Sequence, residues 1–185
     1  MKVLAICGSL RSASYNRQLL LAARDLLPGD AELELWDGLK AVPPYDEDDD
    51  GESPPAAVQR LRDALTGADA VLFSTPEYNS SIPGVLKNAL DWASRPIATN
   101  VLRNKPVAVI GASTGMFGAV WAQAELRKVL AATGARVLES ELPVGRAHTR
   151  FDEQGALIDE TIREQLRDVV AALVGELRLR PALAA

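Results

Sequence analysis

Gly8-Ser9-Leu10-Arg11-Ser12-Ala13-Ser14-Tyr15-Asn16-Arg17 is the stretch on which the fold turns. Immediately before it, Val3-Leu4-Ala5-Ile6-Cys7 is short, continuous, apolar and partly β-branched, the composition of a strand buried on both faces. After it, Leu19, Leu20, Ala23, Leu26 and Leu27 recur at helical spacing until Pro28-Gly29-Asp30 stops the run. A strand therefore passes into a helix through a loop of one glycine, three serines and an arginine. Backbone N–H groups in the first helical turn have no intrahelical partner, and the helix dipole favours an anion there. Ser9, Ser12 and Ser14 add hydroxyl donors, and Arg11 adds a planar fork suited to phosphate oxygens. Two readings fit the loop alone: a phosphate cradle, or an ordinary strand-to-helix turn in which Ser14 caps the helix.

The same loop excludes several named alternatives. A dinucleotide fingerprint needs G-x-G-x-x-G, but Leu10 and Ala13 stand where the second and third glycines belong. A Walker loop needs a closing Gly-Lys-Ser/Thr, and none follows. A cysteine phosphatase needs C-x5-R, yet only three residues separate Arg11 from Cys7 and Ala13 occupies the required place. Cys7 reads instead as a small apolar residue closing a strand.

A chain of 185 residues is most simply one domain, here 1–185, with a tail beyond Gly175 expected to fray. A net charge of −5 argues against an unspecific nucleic-acid binder, whose affinity comes from neutralising phosphates. No apolar run approaches the roughly 20 residues needed to span a bilayer, and Val3 to Cys7 is too short for a signal peptide. The single cysteine allows no internal disulfide and fits a reducing, cytoplasmic setting. With one histidine, His148, neither a His-rich metal site nor a Ser-His-Asp triad is favoured.

Strand and helix signals alternate along the rest of the chain. Ala31 to Trp36 alternates apolar with acidic, like a strand near a sheet edge. Val42 to Pro55 is a proline-rich loop carrying Asp46-Glu47-Asp48-Asp49-Asp50, read as solvated because it lacks the spaced, glycine-containing pattern of a calcium loop. Val58, Leu61 and Leu65 mark a helix ending near Gly67. A second buried strand, Ala68 to Ser74, leads into the polar loop Thr75 to Ser81, and Pro83 opens a helix over about Gly84 to Trp92. Lys105 to Gly111 is a further strand, followed by the loop Ala112 to Gly118 and a helix stopping near Gly134. Arg136 to Leu138 begins a fifth strand. Ile162, Leu166, Val169, Val170 and Leu173 form the stripe of a last helix.

Five strands interleaved with helices imply an α/β fold, a doubly wound parallel sheet with helices on both faces. The flavodoxin-like order 2-1-3-4-5 puts a flavin mononucleotide (FMN) site at the switch between the first and third strands. That topology brings together the loops starting at Gly8, Thr75 and Ala112, the three richest in Gly, Ser, Thr and Asn.

At this point the sequence resembles the NADPH-dependent FMN reductase family, the flavodoxin-like quinone, chromate and azo-dye reductases. The matching residues are Gly8-Ser9-Leu10-Arg11 with Ser14-Tyr15-Asn16-Arg17, then Pro76-Glu77-Tyr78-Asn79 with Ile82 to Trp92. Weaker matches cover Gly111 to Gly118 with Leu126-Arg127, and Phe151-Asp152-Glu153 with Gly155. The resemblance implies that Ser9, Arg11, Ser14 and Asn16 hold the FMN phosphate with Tyr15 alongside. It implies that Pro76, Glu77, Tyr78 and Asn79 line the isoalloxazine, and that Ser113 and Gly115 approach it from the third loop. The chain departs from the pattern at Ala112 and Ala119, places often held by glycine. Read without the family, Tyr78 could be core and Glu77 a surface charge.

The activity implied is hydride transfer from NADPH or NADH to FMN, then reduction of a quinone or similar small acceptor such as chromate, an azo compound or free flavin. The scarcity of Cys and His fits a reaction whose chemistry the cofactor carries. A flavodoxin-like electron carrier without its own nicotinamide site is the alternative, and a cofactor-free phosphoryl hydrolase a third. The helix after Pro83 carries Val85, Leu86, Ala89, Leu90, Trp92 and Ala93, more apolar residues than one stripe needs. With Trp121 on the next helix, it is expected to form the isologous interface of a homodimer, with dimers free to pair into tetramers.

Overall fold

The computed structural model describes residues 1–179. Its elements run β1 (Lys2–Cys7), α1 (Tyr15–Leu26), β2 (Glu32–Trp36), α2 (Ala56–Thr66), β3 (Ala70–Thr75), α3 (Gly84–Ala93), β4 (Pro106–Ala112), α4 (Val120–Ala132), β5 (Arg136–Val137), β6 (Pro143–Val144) and α5 (Glu160–Leu179). The strands pair in parallel in the order β2-β1-β3-β4-β5, with β6 also on β4. The expected order is therefore the observed one, with a sixth strand added. The sheet's fifth place is filled twice: β5 pairs with Pro106 and Val107, β6 with Gly111 and Ala112. Glu139-Ser140-Glu141 interrupts what would otherwise be one strand, and Pro143 has no N–H to continue a ladder.

Successive residues of β1, β3 and β4 point to opposite faces, and both faces are covered. Val3, Ala5, Leu72, Ala108 and Ile110 pack with Leu19, Leu20 and Ala23 of α1 and Leu166, Val170 and Leu173 of α5. Leu4, Ile6, Val71, Phe73, Val107 and Val109 pack with Leu61 and Leu65 of α2, Leu86 and Leu90 of α3, and Leu126 and Leu130 of α4. Helix α5 runs through Gly175 to Leu179, with Val174 and Leu177 buried. The tail expected to fray after Gly175 is thus ordered that far, and 180–185 lie outside the described residues. Among the described residues no helix is long and apolar enough to cross a membrane.

The proline-rich segment 42–55 corrects two expectations. Pro43 O accepts from Trp92 Nε1 at 2.9 Å and Asn88 Nδ2 at 2.7 Å, while Tyr45 N donates to Asn88 Oδ1 at 2.7 Å. The Tyr45 ring meets Trp92 edge-on at 4.8 Å. Asp50, the last residue of the acidic run, pairs with Arg62 at 2.7 Å, both side chains only 10% exposed. Arg62 in turn donates to Trp92 O. The acidic segment is therefore a strap whose final carboxylate is buried, not a wholly solvated run. Among the described residues no cluster of acidic, His and Cys side chains could hold a metal ion. The strap also covers α3, where Leu86, Ala89, Leu90, Trp92 and Ala93 are all buried within one chain and only Val85 is exposed. The excess apolar surface expected to mark an interface on this helix is absorbed by the chain's own loop.

Candidate functional site

All parallel strands end on the same edge, so the loops after β1, β3 and β4 meet there. They enclose an open cleft of about 200 Å³, lined by Ser9, Arg11, Ser14, Tyr15 and Asn16, by Pro76, Glu77 and Tyr78, and by Ala112, Ser113 and Thr114. Of the residues singled out from the sequence as holding the cofactor, Ser12, Asn79 and Gly115 lie off its wall. Ala112 and Thr114 join it unannounced.

Ser14 precedes α1 with extended backbone (φ −78°, ψ 128°), as an N-cap does, but its hydroxyl makes no capping hydrogen bond. Ser14 is 2% exposed, and its hydroxyl makes a long, weak hydrogen bond with the Cys7 sulfur, 4.0 Å away. The first turn of α1 holds no acidic residue, and its first backbone amide to find a backbone acceptor is Gln18 N, on Ser14 O. Among the described residues Arg11 has no carboxylate partner; its guanidinium lies 5.6 Å over the Tyr15 ring, which packs at 5.6 Å on Phe151. The open first turn of α1, the Ser14 hydroxyl and a guanidinium without an ion pair among the described residues thus face one cleft. This donor set fits a bound phosphate monoester.

Asn16 is 3% exposed and ties the sheet edge together. Its Nδ2 donates to Ala112 O, and its Oδ1 accepts from Ala112 N and from the Ser74 hydroxyl, each at 2.9 Å. Both backbone groups of Ala112 are thereby satisfied, and its alanine methyl is buried without a positive φ. Glu77 is not a free surface charge: one carboxylate oxygen accepts from Trp121 N and Ala122 N at 3.1 Å, capping α4 from the second loop. Tyr78 is exposed, which excludes a core role. It forms a tight antiparallel turn with Ser81 through reciprocal hydrogen bonds, and Asn79 and Ser80 take positive φ of 52° and 60°. Asn79 thus occupies a left-handed position of the two-residue turn, and it is not among the cleft-lining residues.

The third loop is pinned by the segment after β5. Ser113 N donates to Val144 O, Ala147 N to Ser113 O, and Arg146 N to Gly115 O. A Cβ on Gly145 would stand 2.1 Å from Met116 O, so only glycine permits this approach. Burial raises the Cys7 thiol above its ordinary value, and Cys7 lies off the cleft wall, which leaves no thiolate nucleophile there. His148 sits exposed on a 3-10 turn outside the cleft.

Residues 1–149 match the model of the NADPH-dependent FMN reductase family. The chain belongs to that family. The reductase is 45% identical to the NAD(P)H-dependent FMN reductase of Pseudomonas aeruginosa, over 94% of this chain and 93% of the relative. It is 38% identical to a 2-hydroxy-1,4-benzoquinone reductase of a Burkholderia species, over 97% and 99% of the two chains. Among solved structures, it superposes on the flavoenzyme NAD(P)H:(acceptor) oxidoreductase of Paracoccus denitrificans with a TM-score of 0.86 at 37% identity, covering 96% of this chain and 97% of that one. Segment 150–159, which buttresses Tyr15 through Phe151, lies beyond the residues that the family model matches.

Proposed function

We propose that this chain passes two electrons from a reduced nicotinamide nucleotide, through FMN held in the cleft, to quinones. Chromate, azo compounds and free flavin are further acceptors of the same kind. We take residues 1–185 as one FMN-binding domain working in the cytoplasm. The observation that carries the reading is the convergence of three loops on a cleft lined by serine hydroxyls, the Arg11 guanidinium and the start of α1, in a member of the FMN reductase family.

A bound FMN would supply the two-electron hydride chemistry that links nicotinamide to the acceptor. The protein's part is binding and orientation. Ser9, Ser14, Arg11 and the first-turn amides of α1 would hold the phosphate, with the Tyr15 ring under the Arg11 guanidinium. Asn16 works from behind, fixing β4 to α1 so that the first and third loops keep their spacing. Pro76 to Asn79 would line the isoalloxazine from the second loop, and the Glu77 carboxylate holds that loop to α4. Ser113 and Gly115 complete the third side. No side chain supplies a nucleophile, and the open mouth of the cleft would give donor and acceptor access in turn.

Phe117 and Trp121 stand exposed beside the cleft, their rings 5.0 Å apart. With α3 covered by the strap, this patch is the surface we assign to a homodimer contact. Sedimentation equilibrium reads both the dimer and any pairing into tetramers.

The decisive experiment is extraction of the purified protein's flavin, with anaerobic addition of NADPH or NADH to the holoenzyme and turnover with a benzoquinone. Colourless protein with no affinity for added FMN refutes the site. Bound FMN that neither nucleotide reduces leaves the electron-carrier alternative.

A further inference from the structure

The loop that lines the cleft has a second face. Behind it, toward the edge strand β2, a separate cavity of about 220 Å³ is walled by Ser9 and Arg11, by Arg17 of α1, and by Trp36 and Lys40 after β2. Ser9 and Arg11 are common to both cavities. The inner cleft and the outer cavity are thus divided by the phosphate loop alone.

The outer cavity gathers positive charge in a chain whose net charge is −5. Arg11, Arg17 and Lys40 all line it, and among the described residues none of them makes an ion pair. Asp37 is the one carboxylate on its wall. Exposed cations gathered at a concave mouth focus potential and attract polyanions. An aromatic wall stands beside them. The half-buried Trp36 indole lies so close over Gly38 that a Cβ there would be 2.5 Å from a ring carbon. Glycine at 38 is what lets the ring lie against the backbone while lining the cavity. Leu35 and Leu39 complete an apolar floor. A flat aromatic surface, an apolar floor and a fork of unpaired cations match a purine nucleoside carrying phosphate.

We propose that this cavity takes the adenosine end of the nicotinamide donor, with the 2′-phosphate of NADPH between Arg17 and Lys40 and the adenine against Trp36. The inference rests on the nicotinamide-donor reading above. It assigns to the chain a preference for NADPH over NADH, and assigns the preference to residues outside the FMN cleft. A ligand bound in both cavities would straddle the phosphate loop, with Arg11 within reach of both anions.

The test uses the FMN-loaded enzyme and two probes that need no turnover, adenosine 2′,5′-bisphosphate and adenosine 5′-monophosphate. Calorimetric titration should show the bisphosphate binding at least tenfold more tightly, and competing with NADPH. In Arg17→Ala and Lys40→Ala, bound FMN should stay at the wild-type level. KM for NADPH should rise about tenfold with kcat little changed, while KM for NADH moves less than threefold. Arg17→Lys should recover part of the loss. Equal affinity for the two probes would overturn the proposal, as would equal effects of the variants on both donors. Loss of bound FMN from Arg17→Ala would also overturn it, placing that residue in the flavin cradle instead. If neither donor reduces the flavin, the donor reading fails, and the probe titration still decides whether the cavity selects a 2′-phosphate.

Discussion

Removing the Arg62 guanidinium tests how the strap over α3 is held. Its side chain is 10% exposed, and it spends its donors on the Asp50 carboxylate at 2.7 Å and on Trp92 O at 3.0 and 3.2 Å. In Arg62→Ala the Asp50 carboxylate, also 10% exposed, keeps its charge without its partner. Breaking a buried pair on one side costs about 3–5 kcal/mol, because an uncompensated charge remains. For a chain of this length that corresponds to a fall in melting temperature of roughly 6–20 °C, at about 2–4 °C per kcal/mol. Replacing both partners, in Asp50→Ala/Arg62→Met, should cost distinctly less than the sum of the single changes. The assay is urea denaturation of wild type, both single variants and the double variant. The Trp92 indole, packed under Tyr45, gives a local fluorescence signal for the strap. A single-variant loss below about 1 kcal/mol would class the pair with exposed ion pairs, and the strap would not hold α3 as argued.

Arg11→Ala should weaken FMN by roughly ten- to a hundredfold, the worth of a charge-assisted contact, without unfolding; titration of apoprotein reads it. Phe151→Leu should weaken FMN about two- to tenfold by loosening the Tyr15 ring that holds Arg11. Because that effect passes through the phosphate, riboflavin affinity should not change, and an equal loss for both ligands would refute it. Cys7→Ser should keep turnover within severalfold, and inactivity with flavin fully bound would restore a thiol role. Asp159 accepts from Ile162 N at the start of α5 at 3.0 Å, and this bond, aided by Arg150, lowers its pKa. A depressed carboxylate stabilises the fold above its unfolded value and loses that contribution as pH falls through the folded one. Asp159→Asn should therefore be less stable than wild type at neutral pH, with the gap closing as pH falls through and below the ordinary aspartate range in denaturation midpoints.

The strand order was legible because buried parallel strands leave little freedom: Val3 to Cys7, Ala70 to Thr75 and Pro106 to Ala112 are apolar on both faces, and each needs a crossover helix. The cleft was legible for a related reason, since topology alone sends three polar loops to one edge. The fate of α3 was not. Residue types report how much surface must be covered, and here Pro43, Tyr45 and Asp50, about 40 residues upstream, cover it. A count of apolar positions on one helix carries no information about a long-range partner of that kind. The split of the sheet's fifth place into β5 and β6 escaped similarly, because two-residue strands have no period to read.

The start of α4 shows why the site's second and third loops cannot be understood one at a time. Its N-cap is Ala119 at φ 62°, a left-handed conformation that costs an alanine roughly 1–2 kcal/mol. Alanine has no side-chain oxygen to cap with. The Glu77 carboxylate, from the loop after β3, takes over that role at Trp121 N and Ala122 N. The family's frequent glycine at 119 would have relaxed the strain; here the alanine methyl is 2% exposed, so burial worth about 0.8 kcal/mol offsets part of it. What looked in the sequence like a departure confined to the third loop is therefore tied to a residue assigned to the second. Glu77 holds the two loops at one spacing, so Glu77→Gln, which keeps an acceptor but not the charge, should leave the cleft assembled. Glu77→Ala releases two amides and should loosen both walls together, seen as faster hydrogen exchange at Trp121 and Ala122 and in the turn Tyr78 to Ser81. Exchange that changed on one loop only would show that the carboxylate does not couple them.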